Sequence, residues 1–160
     1  VHDRAQAIAE YRQVLTMQPQ LPSVHYELAR LLSDTAIEEA VQLLKAELRI
    51  DPQHYLAKGL LGRIYVATHQ ADAAIPLLTD ALAAKPDLLE PRKALGQAWA
   101  EKKEFAKVLE CYRAVEERYP SDEQIHFLLA QAYTALGKPD DAARERELHQ
   151  AVLRQAATRR

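Results

Sequence analysis

Six histidines (His2, His25, His54, His69, His126 and His149), one cysteine (Cys111) and three serines (Ser23, Ser33 and Ser121) are the side chains of this 160-residue chain best suited to chemistry. Their spacing does not favour it. The histidines are dispersed, with no pair at the helical spacing that would place two imidazoles on one face, and a zinc site needs three or four converging ligands. No metal site is expected. Cys111 has no Cys-x-x-Cys partner and no adjacent histidine, so it reads as an inert helix thiol beside the packing residue Tyr112. There is no Gly-x-Ser-x-Gly elbow, and Gly59-Leu60-Leu61-Gly62 lacks the lysine and hydroxyl of a phosphate loop. The runs Glu116-Glu117-Arg118 and Arg144-Glu145-Arg146-Glu147 read as solvated helix faces with local ion pairs. No catalytic activity and no cofactor are expected.

The elements that carry these residues follow from a period. Pro19, Pro52, Pro86 and Pro120 stand 33, 34 and 34 residues apart. Before Pro86 come Ala81, Leu78, Ala74, Tyr65, Gly62 and Leu61; before Pro120 the same offsets hold Val115, Tyr112, Val108, Trp99, Gly96 and Leu95. Small or apolar residues three and four apart mark one face of a helix, and two such faces per period give two antiparallel helices per repeat. Gly62, Gly96, Ala29 and Ala130 leave room where the two helices cross, as do Ala40, Ala74 and Ala142 on the second helix. Leu44, Leu78 and Tyr112 then fill the space. Trp99 is expected to be buried. Capping boxes are expected at Asp87–Glu90 and Ser121–Gln124, a rigid start at Pro139, and short turns at Thr68-His69-Gln70 and Leu136-Gly137-Lys138. Pro76 falls within the first turns of a helix, where a slight bend is expected rather than a break. The unit after Pro19 is one residue short in its Ser33-Asp34-Thr35 turn.

The Leu-Gly pair, the aromatic three residues after the Gly, the Ala-x3-aromatic step and the closing Pro resemble the tetratricopeptide repeat over nearly the whole chain. The resemblance implies an all-α fold, a right-handed superhelical solenoid of antiparallel helix pairs with about nine helices. The expected layout is a single array over 1–160: a half repeat at 1–20, repeats at 21–54, 55–88 and 89–122, and a last repeat at 123–160 whose Arg146 and His149 mark a capping helix.

In proteins of that family the first helix of each repeat lines the concave surface. The resemblance therefore implies an inward set of Tyr26 and Arg30, then Leu56, Gly59, Arg63 and Val66, then Glu90, Lys93, Gln97 and Ala100, then Gln124, Phe127, Gln131 and Thr134. Arginines hold carboxylates bidentately, and Tyr26 and Phe127 are low-entropy anchors, so the expected ligand is an extended peptide or protein segment carrying acidic groups. The two-carboxylate clamp of chaperone-tail adaptors, Lys-x3-Asn, Asn and Lys-x3-Arg in successive repeats, does not match. Tyr26-x3-Arg30, Leu60 and Glu90-x3-Ala94 stand in one register, and Gly59-x3-Arg63, Ala94 and Gln124-x3-Leu128 in the next.

A net charge of −2 argues against a duplex nucleic-acid partner, which calls for a basic stripe. No apolar run reaches the roughly 20 residues of a membrane-spanning helix. With a single cysteine and no signal pattern, the cytoplasm is favoured. The chain opens on a second helix without its first, so it is expected to start inside a repeat of a longer protein. An uncovered face at Ile8, Tyr11 and Leu15 is expected to support weak self-association. The leading function is a non-catalytic protein-binding scaffold; the alternatives are a regulatory or substrate-recruiting appendage of a larger enzyme, or a self-assembly module.

Overall fold

Each stretch with helical periodicity is a helix. In a computed structural model, which describes residues 2–158, the order is α1 (His2–Met17), α2 (Val24–Leu32), α3 (Ile37–Ile50), α4 (Tyr55–Ala67), α5 (Ala71–Ala84), α6 (Leu89–Glu101), α7 (Phe105–Glu116), α8 (Glu123–Ala135) and α9 (Pro139–Thr158), with no strand among the described residues. Val1, Arg159, Arg160 and the side chain of His2 lie outside the described residues. The helices divide into two compact units, one ending at Asp87 and the other beginning at Leu88.

In the first unit, the core is Leu28, Ala29, Leu32, Ala40, Leu44, Ala57, Leu61 and Ile64. Small faces large across each helix pair. A Cβ on Gly62 would stand 2.6 Å from Leu78 Cγ, so α4 and α5 approach closely only because position 62 has none. Ile8, Tyr11 and Leu15 pack against this core and are half-buried. That corrects the expected open face: α1 turns these residues toward the helix pair that follows it. Arg4 donates to the Leu31 carbonyl, and Arg12 Nη2 donates to both Glu39 oxygens at 2.8 and 2.9 Å, tying α1 to the unit. The helix carrying Pro76 runs unbroken from Ala71 to Ala84.

The second unit uses the same device with a larger filler. Tyr112 is fully buried, and its hydroxyl donates to the Lys93 carbonyl at 2.7 Å. Its ring lies against Gly96, where a Cβ would stand 2.4 Å from Cε2. Trp99, expected in the core, is only half-buried, with Lys107 Nζ 4.0 Å from its ring centroid. The buried aromatics of this unit are Tyr112 and Tyr133 instead.

Turn chemistry repeats with the period. Gln70, Glu104 and Lys138 donate their backbone N–H to the carbonyls of Tyr65, Trp99 and Tyr133, five residues back. His69, Lys103 and Gly137, one residue earlier, all have left-handed φ of 56°, 59° and 69°. This is the Schellman close of a helix, and only position 137 has the glycine that favours it. The one-residue deletion after α2 removes this residue. There Ala36 donates to the Leu32 carbonyl four residues back, and residues 33–36 contain no positive φ. Lys103→Gly and His69→Gly are each expected to stabilise the chain by about 1 kcal/mol, measured as a rise in the urea midpoint.

The caps depart from expectation. The N-cap of α6 is Leu88 with no side-chain bond, and Asp87 pairs instead with Lys85 at 3.4 Å. The N-cap of α8 is Asp122 rather than Ser121; its Oδ1 accepts from the N–H groups of Gln124 and Ile125 at 3.0 and 3.2 Å. An aspartate offers a full charge to the helix N-terminus, which a serine does not. Pro139 does open α9, with Asp140 and Asp141 in its first turn.

Candidate interaction surfaces

The first unit brings Tyr26, Arg30 and Arg63 together. The Tyr26 hydroxyl is held above its usual pKa chiefly by burial, then by Glu27, while Arg30 and Arg63 oppose the shift and Tyr55 adds to it. The other four groups therefore lie within electrostatic reach of Tyr26. Arg30 Nε and Nη2 donate to Glu27 Oε2 at 3.0 and 2.8 Å, so part of its charge is already matched. Leu56 is exposed, whereas Val66 is 6% exposed and belongs to the core, leaving no surface for a ligand. Gly59 is buried as well.

Sequence reasoning missed what lies beneath this patch. Glu47 is fully buried at a position where the neighbouring repeats hold Ala81 and Val115. Its Oε1 accepts from the Ser23 N–H at 2.8 Å, and the imidazoles of His54 and His25 approach to 3.8 and 4.0 Å. His54 Nδ1 accepts from the Ala57 N–H as the cap of α4, and the ring tilts against Tyr26 with centroids 5.0 Å apart. The anchor Tyr26 thus rests on a polar network set by α2, α3 and α4.

In the second unit Lys93 does not project freely. Its Nζ is bonded to Asp122 Oδ2 at 2.7 Å, and both side chains are largely buried. Gln97 is half-buried on α6. Phe127, by contrast, is 47% exposed and forms the wall of a cavity of about 570 Å³. Gln131 and Thr134 line it from α8, Phe105 from α7, and Arg146, His149 and Gln150 from α9. Arg146 Nη2 donates to Thr134 Oγ1 at 2.7 Å, His149 Nδ1 lies 3.0 Å from the Glu123 carbonyl, and its ring tilts over Phe127 at 5.7 Å. The two polar residues expected to mark a capping end are therefore cavity walls. Nothing in the period reveals this, because it arises where α9 crosses α8.

On the same helix as Arg146, Glu145 is fully buried, correcting its assignment to a solvated run. His126 Nδ1 lies 2.9 Å from Glu145 Oε2, and its Nε2 lies 3.0 Å from the Pro120 carbonyl. Burial pulls His126 toward its neutral form, but the hydrogen bonds to Glu145 and Pro120 and the charges of Glu145 and Glu116 outweigh it, raising its pKa. Burial, then Glu145, raises the Glu116 carboxyl. Cys111 is buried and its thiol is pushed up to about 11, mainly by burial, so it carries little thiolate at neutral pH. Among the described residues no helix is long and apolar enough to cross a membrane.

Comparison with known proteins agrees with this fold. A tetratricopeptide repeat model matches residues 31–98, and a second matches residues 1–55 and 109–147. No curated protein matches the chain. Among solved structures, a crystal structure of MamA is 22% identical with a TM-score of 0.85, covering 98% of this chain and 92% of that one. YrrB, described as a TPR protein with an unusual peptide-binding site, is 19% identical with a TM-score of 0.82, covering 95% of this chain and 79% of its own. Such identities speak to the fold, whereas the second repeat model alone spans more than half of the sequence. The chain belongs to the tetratricopeptide repeat family.

Proposed function

We propose that this chain is a non-catalytic scaffold that binds a partner protein through an extended segment laid against first helices of its repeats and, beside Phe127, against α9. The cavity beside Phe127 carries the reading. It combines an exposed aromatic wall, the amides of Gln131 and Gln150 and a guanidinium on surfaces the core does not use. A cleft of about 570 Å³ has room for a short stretch of a segment with its apolar side chain against Phe127, leaving the amides to pair with the segment's backbone. Arg146 bonds to the uncharged Thr134 hydroxyl and has no carboxylate partner among the described residues, so an acidic group of the segment pairs there. In the first unit, Tyr26 with Arg30 and Arg63 supplies a second patch, its net charge tempered by Glu27. Lys93 contributes little, being committed to Asp122.

Peptides selected on the intact chain from a random display library test this directly. They should share an apolar residue near an acidic one, and bind less well as salt rises. Phe127→Ala should weaken them more than about tenfold while leaving the melting temperature nearly unchanged, since the ring is exposed. Selected peptides that bind Phe127→Ala and Arg146→Glu as tightly as the parent chain would overturn the reading.

A further inference from the structure

We propose that Glu116, His126 and Glu145 form a binding site for one divalent cation of the zinc class. They come from α7, α8 and α9, and each offers a ligand atom within 4.8 Å of the other two. The Pro120 carbonyl can only accept, so His126 Nε2 carries the ring proton that it donates. In the neutral ring Nδ1 then presents a lone pair to Glu145 Oε2 at 2.9 Å, and two acceptors at that distance require a positive occupant between them. A proton fills that role in the metal-free chain; a metal ion would take both donor atoms. The bond from Nε2–H to a backbone carbonyl is the outer contact that orients metal-binding histidines.

The second carboxylate oxygen of Glu145 is a separate observation from the spacing of the three ligand atoms. Glu145 Oε1 is buried without a hydrogen-bond donor, with the Arg144 guanidinium Nη2 at 3.7 Å. Nor does packing call for carboxylates at these places. One and two repeats earlier the position of Glu145 holds Cys111 and Leu77, and that of Glu116 holds Leu82 and Leu48. One imidazole and two carboxylates match zinc-class ions, whereas calcium and magnesium prefer all-oxygen shells. Metal–ligand lengths of about 2.0–2.2 Å require the donors to draw in, and Glu116, the half-buried member, is the one able to move. Arg113 and Arg144 lie close enough to act on Glu116 and will compete with a cation, so moderate affinity is expected.

Zinc titrated into the EDTA-stripped full chain by calorimetry, with cobalt followed by visible absorption, decides the matter. One equivalent should bind and raise the melting temperature. Glu116→Gln, at a half-buried position, should fold normally and weaken binding at least tenfold, as should Glu145→Gln. His69→Asn, at an exposed turn, should leave binding unchanged. Absence of saturable binding, or binding retained in both glutamine variants, would overturn the site and leave the pair holding a proton alone.

Discussion

Gly96→Ala is expected to destabilise the chain by about 3 kcal/mol, the upper end for overpacking a core. The added methyl would meet the Tyr112 ring at 2.4–2.5 Å, and that ring cannot retreat because it is fully buried and its hydroxyl is bonded to the Lys93 carbonyl. The first repeat shows the alternative solution: Ala29 and Leu44 occupy the same two places, both at 0% exposure. Tyr112→Leu alone should cost about 2–3 kcal/mol through lost volume and the lost hydrogen bond. Combining the two should therefore cost clearly less than their sum, with a coupling of about 1–3 kcal/mol. Urea unfolding of the four species reads this out. Additive losses would mean that residues 96 and 112 do not share the space assigned to them.

His126→Ala is expected to cost about 3–5 kcal/mol in metal-free buffer, because it leaves the fully buried Glu145 charge without its partner. Replacing both, as His126→Leu with Glu145→Leu, should recover most of that loss, since apolar residues of similar volume avoid the desolvation of a buried ion pair. The equivalent of Glu145 two repeats earlier is already a leucine, Leu77. Thermal melts of the two variants beside the parent chain give the comparison. A double variant no better than His126→Ala would show that the site depends on polar contacts beyond the pair.

What was legible in the sequence was what repeats. Gly62, Gly96, Leu78 and Tyr112 announce helix crossings because close approach admits only a hydrogen on one side and a large filler on the other, and both recur every 34 residues. The same logic located the turns at 68–70 and 136–138. It erred on Trp99, whose ring lies half out against Lys107, although Tyr133 one period later at the same register is buried. The candidate sites were harder to see for the opposite reason. Glu47, Glu145 and His126 break the pattern singly, and their shortest contacts, Glu47 with the Ser23 N–H and Glu145 with His126, join positions 24 and 19 residues apart. Of the inward set, a helical wheel does not show that Val66 is covered or that Asp122 claims Lys93.

Mapping backbone amide shifts on adding a peptide selected against the intact chain tests the central claim most directly. Saturable changes are expected at Phe127, Gln131, Thr134 and Gln150, with Asp80 on α5 and Glu110 on α7 unmoved. Saturable changes confined to α3 and α5, with residues around Phe127 unaffected, would contradict it.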